Sequence, residues 1–133
     1  MAIVSTFDSL YKKIKPSINT RLSKSLEKAA TVTASSGTFT VDPNTANMFL
    51  ITVSANSNIA VSSLDTEYTS TGSVISILLT MSASSYTVTW PNTIKWQNET
   101  APELTHKNLV TLMHFGETNT WYGGCIAIDD DFS

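Results

Sequence analysis

Hydrophobic residues recur along the chain with two different periods, and the period changes near residue 30. Over residues 1–30 they are spaced by three or four, which is the period of one face of an α-helix; they are Phe7, Leu10, Ile14, Ile18, Leu22, Leu26 and Ala29. Pro16 lies within this segment and interrupts an α-helix, so the sequence predicts two short helices instead of one. Short helices are marginal alone, so we expect the stripe to be covered by the rest of the chain, by sister chains or by a partner protein.

The remaining chain predicts a linker at residues 31–37 and a β-rich body at residues 38–133. The linker is predicted from the small and polar residues Ala34-Ser35-Ser36-Gly37. Short apolar or alternating runs separated by turn residues predict strands at 38–41, 48–54, 59–62, 73–80, 86–90, 109–115 and 121–128, with a short one at 94–96. Seven to eight short strands predict a β-sandwich or jelly-roll-like body. The sequence shows no internal repeat.

Composition supports the same fold class. Only 14% of residues are charged, well below the usual quarter, while 41% are hydrophobic. Thr, Ser and Asn replace the missing charge, with 20, 18 and 9 copies. Thr favours strands, and Ser and Asn favour turns. The fold class is therefore mainly β.

The charges are divided unevenly along the chain. Residues 1–28 hold six basic and two acidic residues, a balance of +4, whereas the rest holds two basic and nine acidic residues, a balance of −7. A basic arm on an acidic body favours electrostatic docking. We therefore predict an N-terminal anchor that combines the apolar stripe with Lys12, Lys13, Lys15 and Arg21. The alternative is a solvated helix face.

Catalytic and metal-binding patterns are weak. Cys125 lies in an apolar strand, and the spacing of the two histidines, His106 and His114, does not pair either with it as a nucleophile and base. We predict a buried small thiol instead. The spacings typical of zinc or calcium sites are missing, and Asp129-Asp130-Asp131 predicts a solvated acidic tail. We expect no enzyme activity, no metal and no cofactor.

Three further kinds of partner are a sugar, a nucleic acid and a membrane. Glu99 and Glu103 share a predicted loop with Trp96, which leaves a glycan ligand open, although a plain polar loop is favoured. The acidic body argues against nucleic acid as the main ligand. The longest apolar run, Ile77-Leu78-Leu79, is too short to span a membrane, and residues 1–5 do not begin a secretion signal.

The second half of the chain resembles a β module of tailed-bacteriophage structural proteins, of the decoration, cement or tail-fibre type. The segments that carry the resemblance are Tyr86-Thr87-Val88-Thr89-Trp90-Pro91, Ile94-Lys95-Trp96, Ala101-Pro102-Glu103-Leu104, Val110-Thr111-Leu112-Met113-His114-Phe115 and Trp121-Tyr122-Gly123-Gly124. Asp42-Pro43 and the stretch 47–53 are similar to the opening strands of that module, so the resemblance covers roughly residues 38–125. We interpret Trp90, Pro91, Trp96, Trp121, Gly123 and Gly124 as packing residues. The resemblance implies a virion component, often trimeric, without catalysis.

The expected function is therefore that of a capsid decoration, cement or head-fibre protein. It would be made in the host bacterial cytoplasm and would bind itself, as a homotrimer, and the major capsid protein or another virion protein. A short tail fibre or receptor-binding module is the second expectation, and a carbohydrate-binding module is the third.

Overall fold

The computed structural model describes residues 28–65, 72–116 and 119–132, and the chain is mainly β there, as predicted. Within these ranges it forms nine strands: β1 (Ala29–Ala34), β2 (Gly37–Val41), β3 (Met48–Val53), β4 (Ser57–Val61), β5 (Ser73–Met81), β6 (Val88–Thr89), β7 (Ile94–Trp96), β8 (Lys107–His114) and β9 (Trp121–Asp129). A short 3-10 helix follows β7 at Gln97–Glu99. No helix in the described ranges is long and apolar enough to cross a membrane.

The strands form two sheets. One has six strands in the order β1-β3-β5-β8-β9-β7, and the other has three in the order β2-β4-β6. In the larger sheet β3 pairs in parallel with both β1 and β5, and in the smaller sheet β4 pairs in parallel with both β2 and β6. Strand β8 then joins β5 and β9 by antiparallel pairing, and β7 pairs in parallel with β9.

This pairing means that the first six strands wind as a coil. The chain runs along the six-stranded sheet, turns into the three-stranded sheet, and returns one strand further on, as in a parallel β-helix. The successive coils differ in length, because Ala29 pairs with Met48 whereas Met48 pairs with Ser76. A winding of unequal coils carries no fixed sequence period, which explains why no repeat is visible in the sequence.

One hydrophobic core lies between the inner faces of the two sheets. Strand β5 places Ile75, Ile77 and Leu79 there, and all three are fully buried. The other sheet contributes Val41 and Ile59 to the same core. Burying a side chain of this size stabilises the fold by roughly 1.5–3 kcal/mol. The remaining core residues are Ala34, Ala46, Phe49, Ile51, Val53, Met81, Ile94, Val110, Leu112 and Trp121.

The structure corrects three details of the predicted fold. Two facing sheets are sandwich-like, but their parallel pairs differ from the antiparallel pairing of a jelly roll, and there are nine strands in the described ranges rather than seven or eight. The predicted linker at 31–37 instead continues β1 as far as Ala34 and begins β2 at Gly37. Strand β1 forms because it pairs along its full length with β3 and turns Val32 and Ala34 toward the core.

The predicted helical arm is tested only at its end. Residues 1–27, which include all ten residues assigned to the anchor, lie outside the described residues. Ala29 and Ala30, which the helical pattern included, belong to β1. The Lys28 carbonyl accepts hydrogen bonds from the backbone N–H groups of Asn47 and Met48. Residues 1–27 therefore join the body at the edge strand of the six-stranded sheet.

Candidate functional site

The outward face of the six-stranded sheet carries a row of large apolar side chains. Register places Leu50 of β3 beside Leu78 of β5, Leu78 beside Leu109 of β8, and Leu109 beside Ile126 of β9. The two ends of this row are open to solvent, with Leu50 48% exposed and Ile126 63% exposed. Leu78 and Leu109 are half-buried between their neighbours. We call these four residues the apolar row.

A second apolar group lies on the same face, nearer the start of β5. Val74 pairs with Met113, and Met113 pairs with Tyr122. All three are more than a third exposed. The ring of Phe115, which is 64% exposed, contacts Tyr122 edge to face at 5.8 Å. The face therefore continues as an apolar surface across three neighbouring strands beyond the row.

Small and polar residues separate these two groups. Between them lie Ser76 of β5, Thr111 of β8 and Gly124 of β9, which are neighbours in register. The charged residues among the outward strand positions lie at the margins: Lys95 beside Tyr122, and Lys107 opposite Asp129. In the described part of the chain, the central area of this face is thus uncharged. An apolar, uncharged and exposed sheet face is typical of a protein–protein contact surface.

The local sequence explains why this face is apolar. In a strand, alternate residues point to opposite faces. Strand β3 begins Met48-Phe49-Leu50-Ile51, so apolar residues fall on both faces, with Phe49 and Ile51 buried and Met48 and Leu50 exposed. The nearly continuous apolar run of β5 is typical of a central strand, and β5 lies between β3 and β8. The apolar row was not predicted from the sequence, although strands with apolar residues on both faces were the feature that could have indicated it.

A separate cleft lies where β7 ends and β9 continues. Strand β7 pairs with β9 only as far as Trp96 and Gly123, and the chain then turns away through the 3-10 helix. Asn98 and Glu99 have positive φ angles of 56° and 59°, a conformation that is uncommon for residues other than glycine. The resulting cavity has a volume of about 180 Å³ and is lined by Trp96, Gln97, Asn98, Thr100, Pro102, Gly123, Gly124 and Cys125.

Three of the six predicted packing residues line this cleft: Trp96, Gly123 and Gly124. The rings of Trp90 and Trp96 contact each other at 5.0 Å in an edge-to-face arrangement. A Cβ atom added at Gly123 would lie 2.5 Å from Cζ3 of Trp96, so only glycine leaves room for this ring. Gly124 has open space at the same position. Trp121 is buried in the core. Pro91 directly follows Trp90, and its carbonyl accepts a hydrogen bond from the backbone N–H of Ile94.

The two histidines lie in different surroundings. His114 is buried, its ring contacts Trp121 at 5.1 Å, and its Nδ1 accepts a hydrogen bond from the Gly116 backbone. His106 lies 3.3 Å from the Asp129 carboxylate. Hydrogen bonds from the Asp131 backbone N–H and from His106 lower the pKa of Asp129. Asp129 is the last residue of β9, and its side chain is 45% exposed.

Cys125 is half-buried on the wall of the cleft rather than fully buried as predicted. Its partial burial raises the pKa of the thiol. A raised pKa lowers the fraction of thiolate, which is the reactive form. Within the described ranges, no group of three His, Cys, Asp or Glu side chains is arranged to hold a metal ion.

Asn108 is a buried polar residue that the sequence did not single out. It is fully buried at an irregularity between β8 and β9. Its Oδ1 accepts hydrogen bonds from the backbone N–H and the hydroxyl of Thr105, at 2.9 and 3.1 Å. Its Nδ2 donates to the Thr105 carbonyl at 2.7 Å. Asn108 therefore fixes the loop that enters β8.

Comparisons with models of protein families, with curated proteins and with solved structures found no match to this chain.

Proposed function

We propose that this chain is a structural protein of a bacteriophage particle, of the capsid decoration, cement or head-fibre type, which acts through protein–protein contacts and not as an enzyme. The observation that carries the proposal is the exposed apolar face of the six-stranded sheet. The resemblance of residues 38–125 to tailed-phage structural modules is the reason for proposing a phage particle. In this proposal the chain is made in the host bacterial cytoplasm and functions in the virion.

The apolar face supports binding because water is easily removed from it. Its central positions carry no charge, so a partner would displace water without stripping charged groups of their hydration. The face also lies on a sheet whose opposite side is the core, with Ile77 and Leu79 fully buried behind it. Such a surface needs little reordering on binding, which lowers the cost of association.

Attachment to the shell is assigned in this proposal to the N-terminal arm. Its basic residues carry a charge opposite to that of an acidic capsid surface, and its apolar stripe offers area to bury. The arm joins the body at the edge strand β1. A capsid presents many copies of each binding site, so weak contacts of this kind would add through multivalency.

Co-sedimentation with phage particles tests the proposal. The purified chain is mixed with DNA-filled heads that lack tails, and in parallel with isolated tails, from the phage that encodes it. Saturable binding to heads at many copies per particle is the expected result. Binding to neither heads nor tails would refute the virion function.

A second candidate function is a short tail fibre or receptor-binding module that holds a glycan. The observation that favours it is the cleft beside β9, whose lining includes Trp96, the amide residues Gln97 and Asn98, and Thr100. An aromatic face beside amide and hydroxyl groups suits a sugar ring. Binding to tails or to host cells, reduced by Asn98→Ala and unchanged by Asn92→Ala at a neighbouring exposed turn, would favour this candidate.

A further inference from the structure

The apolar row crosses four strands in register, and this order suggests one kind of partner. We infer that the outward face of the six-stranded sheet is where copies of this chain meet, an inference that rests on the proposed structural function and assigns this face to self-association. Exposed hydrophobic residues on a monomer are ordinarily scattered. Here Leu50, Leu78 and Leu109 are direct neighbours, and Ile126 extends them to β9.

The area of the face matches what a stable pair of copies needs. Five long strands of six to nine residues, β1, β3, β5, β8 and β9, form it. With strands about 4.8 Å apart and a rise of about 3.3 Å per residue, the face measures roughly 24 Å by 20–30 Å. Two such faces would bury about 1,000–1,400 Å², which reaches the roughly 1,000 Å² expected of a specific interface.

Charge favours another copy over the chain's own N-terminal arm as the occupant. The charged residues at outward strand positions of this face are Lys95, Lys107 and Asp129, a balance of +1. An arm with a balance of +4 gains no attraction from such a face. A second copy presents the same nearly neutral surface, so neither copy has to bury an unpaired charge at the centre of the contact.

The polar positions of the face also suit pairing with itself. The residues between the two apolar groups are small, with Ser76, Thr111 and Gly124 side by side. A symmetric contact uses the same patch on both copies. On β5, β8 and β9 the apolar row of one copy can then lie over the shallow strip of small residues of the other. Met48, which is 38% exposed beside Ser76, ends this strip on β3.

Sedimentation velocity of the full chain over a range of concentrations is the test. Ile126→Lys and Leu50→Lys place a charge at the two exposed ends of the apolar row. Thr40→Lys is the matched control, because Thr40 is an exposed residue on a strand of the other sheet. We expect the wild-type chain to sediment with twice the monomer mass, because a contact that uses the same patch on both copies joins two of them. Both row variants should weaken association by roughly 30-fold or more, because each would bury an unpaired lysine charge in the contact, while the control matches the wild type.

A monomeric wild-type chain would overturn the inference, and so would row variants that associate as tightly as the control. In a monomeric chain, cross-links from Lys12, Lys13 or Lys15 to Lys107 would identify the arm as the occupant. Circular dichroism of each variant shows whether it is folded, and the two row positions serve as checks on each other. Head co-sedimentation of the same variants separates the two proposals. A folded monomeric variant that still binds heads shows that head binding does not require self-association. A chain that forms oligomers but binds no particle refutes only the virion function.

Discussion

Gly123→Ala should destabilise the protein, and its neighbour provides the control. A Cβ at position 123 would lie 2.5 and 2.6 Å from two carbons of the Trp96 ring and 2.9 Å from Cγ2 of Ile94. The ring cannot simply turn away, because its edge also packs on Trp90. Overpacking of this kind costs about 1–3 kcal/mol. Gly124→Ala meets no atom within 4 Å.

The pair of variants isolates the steric cost. Each substitution removes the same backbone freedom from the unfolded chain, which stabilises by roughly 0.4–1 kcal/mol where the new methyl group fits. Gly124→Ala should therefore be as stable as the wild type or slightly more stable. Gly123→Ala should have a free energy of unfolding lower than that of Gly124→Ala by about 1–3 kcal/mol.

Urea unfolding followed by tryptophan fluorescence and far-UV circular dichroism measures this difference. For a slope of about 1–3 kcal/mol per molar urea, the midpoints of the two variants should differ by roughly 0.3–3 M. Equal midpoints, or a more stable Gly123→Ala, would refute the argument that the ring of Trp96 occupies the space above Gly123. A change in slope would show instead that the variant alters the unfolded or native ensemble.

Three further predictions concern single side chains. Asn108→Leu should lower the free energy of unfolding by about 1–3 kcal/mol in urea titrations, because it removes the partner of the part-buried backbone N–H and carbonyl of Thr105; stability equal to that of the wild type would contradict this role. Cys125 should react with iodoacetamide more slowly than a free thiol at pH 7.5, and faster as the pH rises, because burial raises its pKa; a rate equal to that of free cysteine would contradict the assignment. The lowered pKa of Asp129 means that its stabilising effect is present above the unfolded pKa and lost as pH falls through the folded pKa. Asp129→Asn should therefore be less stable than the wild type at neutral pH and equal to it in acid, with Asp130→Asn as the control in pH-dependent thermal melts.

Sequence patterns located most strands because each strand carries its own signal. The run from Met48 to Val53 and the run from Ser73 to Thr80 are rich in β-branched and apolar residues between turns, and both are strands. Strand β1 was missed because its apolar residues are small: Ala30, Val32 and Ala34 alternate with Ala and Thr and lead into Ser35-Ser36. Its strand structure comes from pairing with β3, which local propensity does not contain.

Strand partners could not be predicted for a related reason. Parallel neighbours are joined through a strand of the other sheet, so their register depends on residues far apart in sequence, such as Ile51 beside Leu79. The cleft depends on the same long-range pairing, since it opens where Trp96 and Gly123 end the β7–β9 ladder. Trp90 and Trp96, both interpreted as packing residues, contact each other and lie close in sequence, so this part of the arrangement needs no long-range pairing.

The distribution of apolar residues in the six-stranded sheet connects folding to the proposed function. A sheet that had to fold only as a monomer could place polar residues at every outward position, as the exposed threonines of β1 do. Strands β3, β5, β8 and β9 instead carry Leu50, Leu78, Leu109 and Ile126 outward while their inward residues complete the core. The outward leucines add little to the stability of an isolated chain because water still reaches them. Their burial becomes favourable only when another surface covers them, so the stability of the folded chain should increase with its concentration through assembly.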